Sequence, residues 1–207
     1  VTPTLKLRRL KRSDLPVDTV ALARFLIGCA IVHDLPEGRV AARIVETEAY
    51  LPDDAASHTF CGETRRNKPM FGRRGHAYVY LNYGVFWLFN VSAEIEGVGA
   101  GVLVRAAEPL LGLDIMHARR PARSGTDLTS GPGKLTLAMG IRPQHSGVDL
   151  CAPGNLWLAK SLHPAGTIGT SVRIGITKEV ERPLRFFERG NPNLSGPKLL
   201  NAPPSQR

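Results

Sequence analysis

The sequence has little cysteine. Of 207 residues only Cys29, Cys61 and Cys151 are cysteines, far apart and odd in number. No CxxC pair occurs, so neither a zinc site nor a disulfide framework is signalled, and a reducing compartment is expected. No cluster has metal-ligand spacing, and no cofactor is called for. Long apolar runs are also lacking. Phe25 to Val32, the longest near the start, is about eight residues against the ~20 that span a bilayer. The basic opening is followed by no long apolar stretch and no small-residue cleavage site, so no signal peptide and no membrane partner are expected. Acidic residues are scarce relative to basic ones, 18 against 27, giving a net charge of +9 and a pI near 9.9. That surplus suits a polyanion such as nucleic acid, though it speaks to partners and not to fold. The length fits one domain with a substantial core, hiding roughly 70% of the unfolded surface.

The most informative stretch is Ile44-Val-Glu-Thr-Glu-Ala-Tyr50. Strand alternation puts Ile44, Glu46, Glu48 and Tyr50 on one face, and Val45, Thr47 and Ala49 on the other. Two carboxylates and a ring on one face describe either a solvated surface or a general base beside a stacking platform. Before this strand, Asp18 suits the N-cap of a helix to Leu26, and Gly28 suits its stop. Cys29 to His33 reads as a strand, turning at 34–38 into a partner strand over 39–50.

Residues 51–76 form a long polar loop, of the kind that is usually functional. It holds His58, by itself an ordinary loop residue, and the cations Arg65, Arg66, Lys68, Arg73 and Arg74, a signal for phosphate contact. Residues 76–91 read as a β-hairpin turning at Asn82-Tyr83-Gly84. Tyr78 and Tyr80 share a face, Val85, Trp87, Phe89 and Val91 are expected to be buried, and Asn90 lies with Phe86 and Leu88. Tyr83 at the tip is either a surface accident or a wedge for a base stack.

In the strand 101–107, Arg105 sits among apolar neighbours and needs an anionic partner, for which Glu48 is one candidate. Glu108-Pro109 is expected to end that strand, with a helix over 110–119 and a second basic cluster at Arg119, Arg120 and Arg123. Ser130-Gly-Pro-Gly-Lys-Leu135 opens another helix, to Met139. Lys134 there marks ordinary helix initiation or a DNA-backbone contact, and the spacing is not that of a Walker A loop. Strands are expected over 155–159 and 170–176, then a core segment over 184–189. The Pro-, Asn- and Ser-rich tail over 191–207 is expected as loosely held coil. Short strands joined by turns, without regular βαβ alternation, give a single α+β domain over 1–190 with a mainly antiparallel sheet and peripheral helices.

In order, IVETEAY, TRRNKPMFG, HAYVYLNYG, FNV, LVRAAEPL and SGPGKL resemble the alkyladenine (3-methyladenine) DNA glycosylase family, over about residues 15–190. The short N-terminus makes the chain resemble the bacterial branch. The resemblance implies a curved, barrel-like sheet and a monomeric, cytoplasmic, nucleoid-associated repair enzyme acting on duplex DNA with damaged purines. Glu48 would be the general base that activates water at C1′, with Arg105 beside it. Tyr50, Tyr80, His58 and Asn90 would line the pocket for the extruded base, and Tyr83 would be the intercalating wedge. No pocket lysine matches, which implies a monofunctional enzyme. Pro52 and Phe86 depart from the family pattern and are expected to border the pocket. Two alternatives stay open: a catalytically silent nucleic-acid-binding module of the same fold, and a hydrolase of free nucleosides. The positive charge and the tip tyrosine argue against the second.

Overall fold

Asp18 caps the first helix: its carboxylate accepts from the Ala21 N–H at 2.7 Å, and α1 runs Thr19–Leu26. Gly28, at φ +92°, then turns the chain into β1 (Ala30–Leu35). The structure is a computed structural model that describes residues 6–122, 124–161 and 164–202. Arg123 of the second basic cluster and the end of the tail lie outside the described residues.

Everything is arranged on β2 (Gly38–Tyr50), the longest strand. One edge pairs with β5 (Gly101–Leu111); the other pairs first with β1 and then with β8 (Arg185–Glu188). The hairpin of β3 (Ala77–Asn82) and β4 (Phe86–Ser92) adds to β5, while β6 (Leu156–Ala159) adds to β1 and β7 (Ile168–Ser171) to β8. All of these pairings are antiparallel, and the sheet curls into a half-barrel. Helices α1, α2 (Leu113–Arg119), α3 (Pro132–Met139) and α4 (Lys198–Asn201) lie at its margins, which is the expected α+β class. Leu22 and Leu26 of α1 and Leu135 and Met139 of α3 share one buried core with Ile44, Phe89 and Val104. Among the described residues no helix is long and apolar enough to cross a membrane.

Two irregularities decide which side chains face the site. The β2–β5 register shifts between Ile44 and Glu46 and again between Glu46 and Thr47, leaving Val45 and Arg105 without cross-strand partners. Each extra residue reverses the alternation of its strand. Val40, Ala42 and Ile44 therefore enter the same core as Ala49, which corrects the expectation that Ile44 faces with the glutamates. In β5 the same core takes Val102, Val104 and then Ala107, so Arg105 is turned out of it.

Other expectations also change. Pro109 does not end β5; it pairs with Ala42 beside a register shift, the kind of irregularity at which a strand tolerates proline. The strand expected over 170–176 stops at Ser171, and α2 starts at Leu113. Val85 lies in the hairpin turn and is exposed, because φ is positive at both Tyr83 and Gly84 and the chain reverses before it. The tail is not loose coil as far as residue 202. Asn193 and Ser195 are buried, and the Leu200 carbonyl and Asn201 side chain accept from Arg185.

Candidate active site

A cavity of about 620 Å³ opens where β2, β5 and the β3–β4 hairpin meet the long loop and the segment after β7. Tyr50, His58, Tyr78, Tyr80, Asn90 and Arg105 all line it, and Tyr83 stands on its rim. Residues from five separate stretches thus converge on one cavity.

One wall is aromatic. Period two brings Tyr78 and Tyr80 to the same side of β3, where their rings stack at 5.4 Å. His58 meets Tyr80 edge-on at 4.4 Å, and its Nδ1 lies 3.1 Å from the Tyr78 hydroxyl. The inner edge of the imidazole is thereby dried while its outer edge stays open. Burial, and then Arg66, lower its pKa and favour the neutral ring. Burial pushes the Tyr80 phenol up to about 12, so it stays protonated. Asn90 donates from Nδ2 to the Tyr78 carbonyl at 3.2 Å, which fixes its amide at the floor.

The other wall is ionic. Glu48 is fully buried and does not itself border the open volume. Three residues that do line it hold its carboxylate. Ile174 donates its N–H to Oε1 at 2.7 Å, Tyr50 donates its hydroxyl to Oε2 at 3.0 Å, and Arg105 Nη1 lies 3.2 Å from Oε1. Burial, and next the Glu48 charge, raise the Tyr50 pKa well above its ordinary value, which keeps that hydroxyl a donor. Arg105 therefore does meet Glu48, but its Nε is bonded to Glu46 at 3.0 Å. The back of Tyr50 is covered by Arg173, 4.6 Å from the ring centroid and paired with buried Asp54.

Tyr83 is 85% exposed at the hairpin tip. Leu81, Val85 and Phe86 of the same hairpin are exposed with it.

A sequence model of methylpurine-DNA glycosylase (MPG) matches residues 13–192. The chain belongs to the methylpurine-DNA glycosylase family. It is thus a DNA glycosylase, a hydrolase of N-glycosyl bonds that acts on DNA. In Mesorhizobium japonicum a protein named "Putative 3-methyladenine DNA glycosylase" is 55% identical over 191 residues, covering 92% of each chain. A protein of the same name in Paraburkholderia phytofirmans is 52% identical over 197 residues, covering 95% of this chain and 92% of that one. One in Methanoculleus marisnigri is 46% identical, covering 84% of this chain and 92% of its own.

The cations of this glycosylase do not form one patch. Arg65, Lys68 and Arg73 are exposed, and Arg66 lies 5.5 Å from the Tyr80 ring at the cavity mouth. Arg74 instead donates to the Leu15 carbonyl, Lys134 is paired with Asp127, and Arg119 and Arg120 are paired with Glu37 and Asp127. Neither Pro52 nor Phe86 lines the cavity, contrary to expectation. Pro52 points to solvent, and the Phe86 ring occupies the space a Cβ on Gly133 would need, 2.8 Å away. Sequence reasoning missed the segment 174–178, which lines the cavity, and the buried cations Arg173 and Arg185. The signal that exposed Arg105, an arginine inside an apolar strand, was equally present at Arg185 between Leu184 and Phe186.

Proposed function

We propose that this glycosylase extrudes N-alkylated or deaminated purines from duplex DNA and hydrolyses their N-glycosidic bond with Glu48 as general base. The class includes 3-methyladenine, 7-methylguanine, hypoxanthine and ethenoadenine. The observation that carries the reading is one cavity with flat rings on one side and, on the other, Arg105, Tyr50 and Ile174, the three lining residues that hold the buried Glu48 carboxylate.

In this reading the extruded base lies between Tyr50 and Tyr80, beside His58 and Asn90. A base carrying positive charge gains roughly 0.5–2 kcal/mol from an aromatic face. Water then attacks C1′. Its proton passes to Glu48, its oxygen bonds to carbon, and the C1′–N bond breaks with its electrons leaving on the base. The sugar passes through an oxocarbenium-like state, which a nearby carboxylate stabilises while Arg105 keeps that carboxylate ionised. Asn90 disfavours the exocyclic amino group of guanine. Tyr83 fills the gap in the stack, and exposed Arg65, Arg66, Lys68 and Arg73 hold phosphates. Extrusion costs a few kcal/mol and is easiest at damaged pairs, so selection starts before chemistry. The enzyme acts as a monomer, and water, not a lysine, is the nucleophile.

Release of hypoxanthine from an inosine-containing duplex tests this under single-turnover conditions. Glu48→Gln is expected to lower the rate about 10²–10⁴-fold with duplex affinity retained. Equal rates would remove Glu48 from the chemistry.

A further inference from the structure

The assignment of Glu48 leaves its neighbour unexplained. Glu46 is just as buried and accepts four hydrogen bonds: from Arg105 Nε at 3.0 Å, Arg185 Nε at 2.7 Å, Ser195 N–H at 2.6 Å and Ser195 Oγ at 2.8 Å. Three of these bonds fall on Oε1 and one on Oε2, and the carboxylate is fully buried and does not line the cavity, so it has no access to the reacting water. Its effect falls on Arg105. The guanidinium is a planar fork, and once Glu46 clamps the Nε edge, the direction of Nη1 is fixed. Nη1 then lies 3.2 Å from Glu48 and 3.4 Å from the Ile174 carbonyl.

Glu46 is in turn placed by the C-terminal segment. Two of its four donors come from Ser195, and Ser195 is held there by Arg185, whose Nη2 donates to the Ser195 carbonyl at 3.3 Å and to Asn201 Oδ1 at 2.6 Å. The next residue, Gly196, has φ +74°, and a Cβ on it would stand 2.4 Å from Ile174 Cδ1. Ile174 is the residue whose amide donates to Glu48. The segment therefore touches the ionic wall at two points. It lies beyond residue 192, where the match to the family model ends.

We propose that Glu46 and the pair Ser195 and Gly196 are positioning residues for glycosidic-bond hydrolysis, setting Arg105 and the Ile174 amide against Glu48. This rests on the reading of Glu48 as the base. Glu46 holds the Nε edge of Arg105, so that Arg105 meets Glu48 through Nη1 alone and not through a two-pronged fork that would occupy both carboxylate oxygens. The charged groups around Glu48 are Glu46 on its own strand, Arg105 on β5, Arg185 on β8, and Arg173 with Asp54 beyond Tyr50.

Glu46→Gln, Ser195→Ala, Gly196→Ala and Glu48→Gln are compared in full-length protein by single-turnover hypoxanthine release across pH, duplex affinity and thermal unfolding. Glu46→Gln is expected to slow the chemical step about tenfold or more, since small misplacements of catalytic groups are costly. Affinity should stay near wild type, and removing the negative charge beside Glu48 should move the acid limb of the rate profile to lower pH. Ser195→Ala and Gly196→Ala, which leave every charge in place, should slow the step with the limb unmoved. These two decide the matter if Glu46→Gln does not fold. Wild-type rates in Ser195→Ala and Gly196→Ala, or losses that only follow the folded fraction, would overturn the inference while Glu48→Gln stays inactive. An active Glu48→Gln would instead remove the base assignment itself.

Discussion

The Tyr50 hydroxyl donates to Glu48 at 3.0 Å, while the ring of the same residue lies over the Arg173 guanidinium at 4.6 Å. One side chain thus couples the stacking surface to the buried carboxylate and to the ion pair behind it. Its two parts can be separated by substitution. Tyr50→Phe keeps the wall and removes only the hydrogen bond, so lesion binding should hold while the excision rate changes. Tyr50→Ala also removes the ring and should weaken binding by about 1–3 kcal/mol, the range for loss of base stacking. Titration of a lesion duplex against both variants, followed by single-turnover rates, checks this.

Tyr83 makes no core contact that its exposure would hide. Tyr83→Ala should leave the free energy of unfolding within about 0.5 kcal/mol of wild type, as for an ordinary surface change. Excision from a duplex should fall while the fold persists. An unchanged excision rate with normal affinity would refute the wedge.

Arg173 and Asp54 are both fully buried, with Arg173 Nη2 donating to Asp54 Oδ1 at 3.0 Å and Nη1 to the Ala49 carbonyl at 3.0 Å. Breaking such a pair leaves a buried charge without its partner. Asp54→Ala is expected to cost about 3–5 kcal/mol in chemical denaturation, and more than the double variant with Arg173→Met. A cost under about 1 kcal/mol would show that the loop is not tied down there.

His33 and His145 form a buried edge-on pair at 4.7 Å, away from the cavity. Burial lowers both pKa values, and the His145 Nδ1 must be unprotonated to accept the Arg142 N–H at 2.9 Å. Folded values below the ordinary ~6.5 mean that the unfolded chain takes up protons first as pH falls. The stability these residues contribute is complete above about pH 6.5 and declines as pH falls from there toward their lowered folded values. Glu188 acts in a separate window. Its hydrogen bonds from Arg43 hold its pKa at about 2, so its contribution is lost only as pH falls from its ordinary 4.5 through that value. Unfolding midpoints measured from pH 8 to pH 2 should show both declines, and His145→Gln should reduce the upper one.

Local chemistry in the sequence determined the elements that local chemistry controls. Asp18 caps α1, the hairpin turns at Tyr83 and Gly84, and an arginine placed among apolar residues at 105 had to find a carboxylate. Those inferences need only neighbouring residues, because caps, turns and period-two faces are set within a few positions. Tertiary structure alone decided the different partners of Glu46 and Glu48: Arg185 and Ser195 for the first, Tyr50 and the Ile174 amide for the second. Strict alternation put Ile44 on the glutamates' face, and the bulge at Val45, imposed by pairing with another strand, turned Ile44 into the core instead. It also decided that Ser195, 149 positions from Glu46, would complete that carboxylate's hydrogen bonds. No periodicity reaches across such a distance. A polar residue in a Pro- and Asn-rich tail looks solvated until the fold brings a buried charge to it.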